Sequence, residues 1–151
     1  MNNTTTTLFF SILCLLLIGC NQSEDAQPLP LDLSFEESFQ LQLIEAEPAT
    51  IIDVPAGTHS FTRSLSLNVP GVTIRGAGMN QSVLSFANQV QGAEGLLVTA
   101  NDFVIEDLAI EDTIGDALKI NESTNVTIRR VRTEWTNAVS YTHLTLPTNG
   151  T

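Results

Sequence analysis

Five carboxylates crowd one short stretch of the chain: Glu106, Asp107, Glu111, Asp112 and Asp116. Acids at such spacing support two kinds of chemistry. A pair can cleave a glycosidic bond, with carboxyls roughly 6.5–9.5 Å apart for inversion or about 5–5.5 Å for retention. Asp112 and Asp116 are the candidate catalytic pair. The same acids could hold Ca²⁺, a hard cation that takes oxygen ligands. No EF-hand or nonapeptide calcium pattern accompanies them, so no metal site is assigned. The plainer reading makes them solvated turns and ion-pair partners. A second cluster is basic: Arg129, Arg130 and Arg132. Guanidinium groups grip carboxylates bidentately, so this patch is a candidate ligand site for a uronate. The plainer reading again is pairing, with Arg75, Glu106 and Arg129 in one outward column and Asp107 beside Arg130. His59 follows a Pro-Ala-Gly turn and reads as a structural bystander. No Ser-His-Asp order, phosphate-binding glycine loop or zinc spacing is present.

What must position these groups is a repeat. Asn101 to Thr113 and Thr124 to Thr136 carry the same pattern, so that Phe103 meets Val126, Ile105 meets Ile128 and Leu108 meets Val131. An earlier copy is Val72-Thr-Ile-Arg75. Short apolar segments also repeat: Leu65-Ser-Leu67, Leu96-Leu-Val98 and Leu118-Lys-Ile120. A period in the low twenties with β-branched alternation means stacked coils. Period-two alternation then points Val72, Ile74, Phe103, Ile105, Val126 and Ile128 inward. Leu65, Leu96 and Leu118 form one inner column, and Leu67, Val98 and Ile120 the next. Asn68, Asn101, Asn121 and Asn125 suit the corners, where Asn tolerates left-handed backbone. Residues 88–94 are extra length in one coil and should bulge outward as a loop. Ahead of the coils, Ser34-Phe-Glu-Glu37 is a capping box. It opens a short helix with Phe35, Phe39, Leu43 and Ile44 on one face, ended by Pro48. That helix would cover the open end of the stack.

The ends are different. Leu8 to Ile18 is an apolar run of signal-peptide length, followed by Gly19-Cys20. The run resembles a bacterial lipobox, which implies acylation of Cys20. The leader departs from that pattern in lacking Lys and Arg. Residues 1–20 are therefore expected to be a lipoprotein signal peptide, and residues 21–33, with Pro28 and Pro30, a flexible tether. Asn21 favours the outer membrane of the bacterial envelope. The coils are expected to span residues 34–138. Residues 139–151 resemble a translated sequencing-adapter tail and are expected to be non-native, with the true protein continuing. Only Cys14 and Cys20 are present, so no disulfide is available to the folded part. The net charge of −11 argues against nucleic acid as a partner.

The helix, then Thr50-Ile-Ile-Asp-Val-Pro-Ala-Gly-Thr-His-Ser-Phe61, then Leu67-Asn-Val-Pro-Gly-Val-Thr-Ile-Arg-Gly-Ala-Gly78, resembles the opening of right-handed parallel β-helix proteins of the pectate-lyase-like superfamily. The resemblance covers roughly residues 34–136. It implies an all-β, right-handed parallel β-helix fragment with a short N-terminal capping helix. It says far less about activity. Residues 111–120 faintly resemble the aspartate-bearing coil of polygalacturonases, through Asp112 and Asp116 alone. That family's Gly-His-Gly and Arg-x-Lys do not occur in these residues and could lie in the expected continuation. Three functions are compatible: a lipid-anchored envelope protein that binds extended carbohydrate, a polysaccharide hydrolase or lyase (some lyases of the superfamily using Ca²⁺), or an accessory scaffold for another exported protein. The first is the expectation carried forward, with no cofactor assigned.

Overall fold

The structure, a computed structural model, describes residues 33–136 and 139–142. The signal peptide, Cys20, nearly all of the tether and residues 143–151 lie outside the described residues. The chain enters through helix α1 (Phe35–Glu45). Ser34 Oγ accepts from the Glu37 amide at 3.3 Å, and Glu37 Oε2 accepts from the Ser34 amide at 3.0 Å. This is the expected capping box, and it satisfies donors that a helix start leaves unpaired. Phe39 and Leu43 are buried. Ile44, expected on the same face, is 56 % exposed. One residue of helix turns the side chain by about 100°, which carries Ile44 past the edge of the buried stripe.

Beyond α1 the chain winds into a parallel β-solenoid of about four turns. The first coil holds β1 (Ile51–Val54), β2 (Gly57–Ser60) and β3 (Arg63–Leu67). The second holds β4 (Thr73–Gly76), β5 (Ser82–Ser85) and β6 (Gln91–Val98). The third holds β7 (Val104–Glu111) and β8 (Leu118–Asn121), and the fourth β9 (Thr127–Glu134) and β10 (Val139–Thr142). Every pairing is parallel, as stacked coils require. β7 serves two faces: β4 pairs with its first half, Thr73 opposite Val104, and β5 with its second half, Val83 opposite Ala109. Residues 139–142, placed in the tail by the sequence reading, continue the stack. They pair with β8, Val139 opposite Leu118, because Val139 lies about one repeat beyond Leu118.

The registers match the repeat. Ile74 pairs with Ile105 and Ile105 with Ile128. Leu65, Leu96 and Leu118 form one column; Leu67, Val98 and Ile120 form the next. All six of these column residues are buried. Burial of a side chain of this size stabilises by about 1.5–3 kcal/mol. An aromatic stack runs through the cap: Phe35 on Phe39 at 5.6 Å, Phe39 near Phe61 at 6.0 Å, and Phe61 on Phe86 at 5.2 Å. His59 stacks on Phe35 at 3.9 Å, and its Nε2–H donates to the Pro55 carbonyl at 3.0 Å. That is a packing role at the capped end. At the other end Val126, Ile128 and Val131 are only partly buried.

The corners are left-handed, and they recur from coil to coil. Ala49, Gly71, Asp102 and Asn125 occupy one corner in the four coils, with φ of 68°, 76°, 57° and 55°. Asp107 and Arg130 (58° and 50°) bend β7 and β9 in the middle, so each strand can serve two faces. Asp112 and Trp135 (61° and 54°) end those strands. Of the four asparagines expected at corners, Asn125 alone has this backbone. Asn101 instead reaches across coils, its Oδ1 accepting from the Thr124 amide at 2.8 Å. Asn125 Nδ2 donates to Asp102 Oδ1 at 2.7 Å.

The extra residues of the second coil do displace the ladder. The register shifts between Arg63, opposite Gln91, and Leu65, opposite Leu96. They do not hang free as a loop. Gln89 is 8 % exposed and ties three coils together. Its Nε2 donates to Ser64 Oγ at 3.1 Å and to the Glu94 carbonyl at 2.8 Å, while its Oε1 accepts from the Ile114 amide at 3.2 Å.

Candidate functional site

Asp112 sits at a place where the inner column changes character. Ser60 pairs with Ser85, Ser85 with Glu111, and Glu111 with Glu134. The next residue in each coil is therefore Phe61, Phe86, Asp112 and Trp135. Phe61 and Phe86 point inward and are buried. At Asp112 the backbone turns left-handed instead, a conformation Asp and Asn tolerate better than most residues. The Asp112 amide still donates to the Glu134 carbonyl at 3.0 Å. Its carboxylate Oδ2 accepts from Ser85 Oγ at 3.0 Å. Trp135, one coil on, is 81 % exposed.

Around this corner the acids and arginines expected as separate sites interlock. Arg132 Nη2 lies 2.6 Å from Glu111 Oε1, and its Nη1 lies 2.8 Å from Glu134 Oε2. Arg132 Nε also donates to the Met79 carbonyl at 3.2 Å. The Glu111 and Glu134 carboxylates hold the Arg132 guanidinium above its ordinary pKa range, Glu134 contributing the larger hydrogen bond. On the neighbouring face the column runs Asp53, Arg75, Glu106, Arg129. Arg75 Nε donates to Asp53 Oδ1 at 2.9 Å. Arg129 Nε donates to Glu106 Oε2, and Glu106 is 5 % exposed. Arg130 Nη2 donates to Asp107 Oδ2 at 2.7 Å and lies 3.7 Å from Glu106. The Arg130 hydrogen bond pulls the Asp107 carboxyl below the usual carboxylate range. Arg129, Arg130 and Arg132 thus each hold a carboxylate.

Asp116 belongs to different company. It lies at the far end of the link from Asp112, where its carbonyl accepts from the Gly95 amide at 2.9 Å. Its charge acts on Lys119. Lys119 Nζ is 2.9 Å from Glu94 Oε1, and that hydrogen bond lowers the Glu94 pKa and raises that of Lys119. Asp112 is bonded by Ser85, whereas the charge of Asp116 bears on Lys119, the partner of Glu94. Among the described residues the two aspartates share no hydrogen-bond partner. Ser85 and Glu94 were not singled out from sequence. The register Ser60–Ser85–Glu111 would have found Ser85, but Glu94 lies in the irregular segment that breaks the repeat.

Among the described residues no group of three or more His, Cys, Asp or Glu side chains could hold a metal ion. A cleft of about 400 Å³ lies between α1 and β1, lined by Leu41, Ala46, Ile51 and Ile52 among others. It contains neither aspartate of the candidate pair. No described helix is long and apolar enough to cross a membrane. No protein-family model matches the chain, and no curated protein or solved structure matches it significantly.

Proposed function

We propose that the chain is an envelope protein, lipid-anchored through Cys20 at the outer membrane, whose coils bind extended carbohydrate of neutral charge. The anchor rests on the lipobox-like residues, and the pectate-lyase-like kinship on the coil pattern around residues 34–136. One observation carries the choice of ligand: Arg129, Arg130 and Arg132 each already hold a carboxylate of this chain. A uronate would have to displace those acids. Paired, half-exposed charges still offer donors and acceptors to sugar hydroxyls. Strand spacing repeats them about every 4.8 Å, close to the length of one sugar unit. Exposed Trp135 supplies an apolar face beside them.

A polysaccharide hydrolase or lyase is the second reading, and one observation favours it. Asp112 breaks the inward column of Phe61 and Phe86, placing a carboxylate bonded by Ser85 Oγ one coil from exposed Trp135. An accessory role beside another exported protein is the third.

The test is a panel of soluble oligosaccharides, neutral hexaoses and oligogalacturonate, titrated into the purified chain. Length-dependent binding of neutral chains, with oligogalacturonate bound more weakly, supports the proposal. Preference for oligogalacturonate, or binding of neither, overturns it. New reducing ends or unsaturated products would hand the function to the enzyme reading.

A further inference from the structure

Strand β2 keeps one edge open at the start of the stack. Among the described residues its only ladder partner is β5. The Gly57 amide donates to the Gln81 carbonyl at 2.7 Å, and the Phe61 amide to the Ser85 carbonyl at 2.9 Å. Successive residues of a strand turn their backbone groups to opposite sides. Thr58, Ser60 and Thr62 therefore turn theirs away from β5. The Thr62 amide is met there by Glu36 Oε1, at 3.0 Å. Among the described residues nothing meets the amides and carbonyls of Thr58 and Ser60. Such an edge is a template for another extended segment. The chain itself arrives beside it. Phe35 stacks on His59 of β2 at 3.9 Å, so the residues before Ser34 lead in next to that strand. They run toward the Phe61–Thr62 corner, as β2 does. The β1 edge lies instead by the cleft at the other end of α1, an 11-residue helix about 16 Å long. The incoming residues are Pro28-Leu-Pro-Leu-Asp-Leu33. Leu33 alone of these is described, and it is half-buried. Leucine takes every second position, and both prolines fall on the positions between. Proline cannot donate to a ladder, so a strand holds it only where its nitrogen faces outward.

We infer that residues 29–33 add to the open edge of β2 as a parallel strand, Leu31 opposite His59 and Leu33 opposite Phe61. In that register the Leu31 amide donates to the Thr58 carbonyl and the Leu33 amide to the Ser60 carbonyl. The carbonyls of Leu29 and Leu31 accept from the Thr58 and Ser60 amides. Pro30 and Asp32 turn outward beside Thr58 and Ser60, which are both exposed. Leu31 falls on the side of His59 and covers Phe35, which is only partly buried. A shift by one residue would ask Pro30 for an amide hydrogen that it lacks. The segment closes β2 as Glu36 and Gln40 close β3. One consequence rests on the lipid-anchored reading of Cys20. The free part of the tether shortens from residues 21–33 to residues 21–28, a reach of at most about 29 Å.

The readout is amide hydrogen exchange, followed residue by residue by NMR. The purified chain carries Cys20→Ser, so the outcome does not depend on whether that residue is acylated. Two further variants accompany it, Leu31→Pro and Asp32→Pro. Both substitutions lie ahead of α1 and the coils, and each variant is first shown to melt cooperatively. Leu31→Pro removes a donor that the inferred strand needs. Asp32→Pro removes an amide that it turns to solvent. The expected result is slow exchange at Leu31, Thr58 and Ser60 and fast exchange at Asp32. Leu31→Pro speeds Thr58 and Ser60 at least tenfold, while Asp32→Pro leaves them as they were. Fast exchange of Thr58 and Ser60 in the parent chain overturns the inference. So does protection that Leu31→Pro leaves unchanged, or that Asp32→Pro abolishes equally. Protection that survives Leu31→Pro but disappears on dilution would give the edge to a second copy, and overturns it too.

Discussion

The carboxamide of Gln40 pairs with the backbone of Ser66 as a neighbouring strand would. Its Nε2 donates to the Ser66 carbonyl at 3.1 Å, and its Oε1 accepts from the Ser66 amide at 3.0 Å. One turn earlier on α1, Glu36 takes the Thr62 and Arg63 amides. An exposed strand edge is a template for another chain. Here one helix satisfies β3 with side chains and so ends the stack on that face. The capping of a solenoid is thus done by hydrogen bonds as well as by the apolar face of Phe39 and Leu43.

Gln40→Ala should therefore do two things. Two solvent-facing hydrogen bonds are lost, at a cost of about 1 kcal/mol. The freed β3 edge also becomes available for pairing. Urea unfolding measures the first effect, and light scattering at high protein concentration the second. Loss of stability without added self-association would mean that the edge is shielded by the helix body rather than by this side chain.

Much of the solenoid was legible because its period is carried by side chains that cannot be anywhere but inside. Leu65, Leu96 and Leu118 announced one column, and Ile74, Ile105 and Ile128 another. The left-handed corners were harder to read. Gly71 and Asn125, and less strongly Asp102, Asp107 and Asp112, advertise such backbone by residue type; Ala49, Arg130 and Trp135 take it because the coil must turn where they stand. The same reason hid the split between Asp112 and Asp116. Sequence proximity placed them together, while a corner between them sends each to another face. The ion pairs of Asp107 with Arg130 and of Glu106 with Arg129 followed from the repeat. The Arg132–Glu134 pair depends on side-chain reach along one strand, which the repeat does not encode.

Gly76 is required by closeness rather than by conformational freedom. A Cβ there would sit 2.2 Å from the Asp107 carbonyl oxygen, 2.8 Å from Leu108 Cβ and 2.9 Å from Ser82 Cβ. The Asp107 carbonyl is also the acceptor for the Gly78 amide at 2.8 Å, so it cannot move freely. Gly76→Ala should cost about 1–3 kcal/mol, the usual range for overpacking. Gly115→Ala is the control, since its nearest neighbour would be the Ala93 carbonyl at 3.1 Å. Equal denaturation midpoints for the two variants would contradict the close-approach argument.

Two acids paired between coils and the helix-cap Glu37 should shape the acid limb of the fold's stability. Asp107, Glu94 and Glu37 are all lowered in the folded state, by hydrogen bonds from Arg130, Lys119 and Ser34 respectively. A lowered acid contributes stability above its unfolded pKa and loses it as pH falls through the folded value. Melting temperature should accordingly hold near neutrality and decline from about pH 4 downward. Salt should weaken the contribution, since these pairs face solvent. Asp107→Asn removes one of the groups and should flatten the acid limb of the melting curve. An unchanged limb in that variant would show that the Asp107–Arg130 pair does not govern it.

Asp112 separates the binding reading from the enzymatic one. Its left-handed backbone and its bond from Ser85 Oγ are both structural demands. Asn meets both, because it tolerates the same backbone and its amide oxygen accepts a hydrogen bond. Alanine meets neither, and the backbone alone makes it cost about 1–2 kcal/mol. Asp116→Asn should cost no more than about 1 kcal/mol, since the side chain is partly exposed and its neighbour Lys119 keeps Glu94. If the aspartates are corner residues, then, Asp112→Asn and Asp116→Asn leave both melting and glycan affinity near wild type, while Asp112→Ala lowers melting. If Asp112 works as an acid or base, the pattern inverts. Asn then keeps the fold and removes any turnover of a glycan substrate by a thousandfold or more, because only a carboxyl group can carry the proton. Measuring melting and product release on the same preparations decides between the two, and the inverted pattern would replace the binding function with hydrolysis.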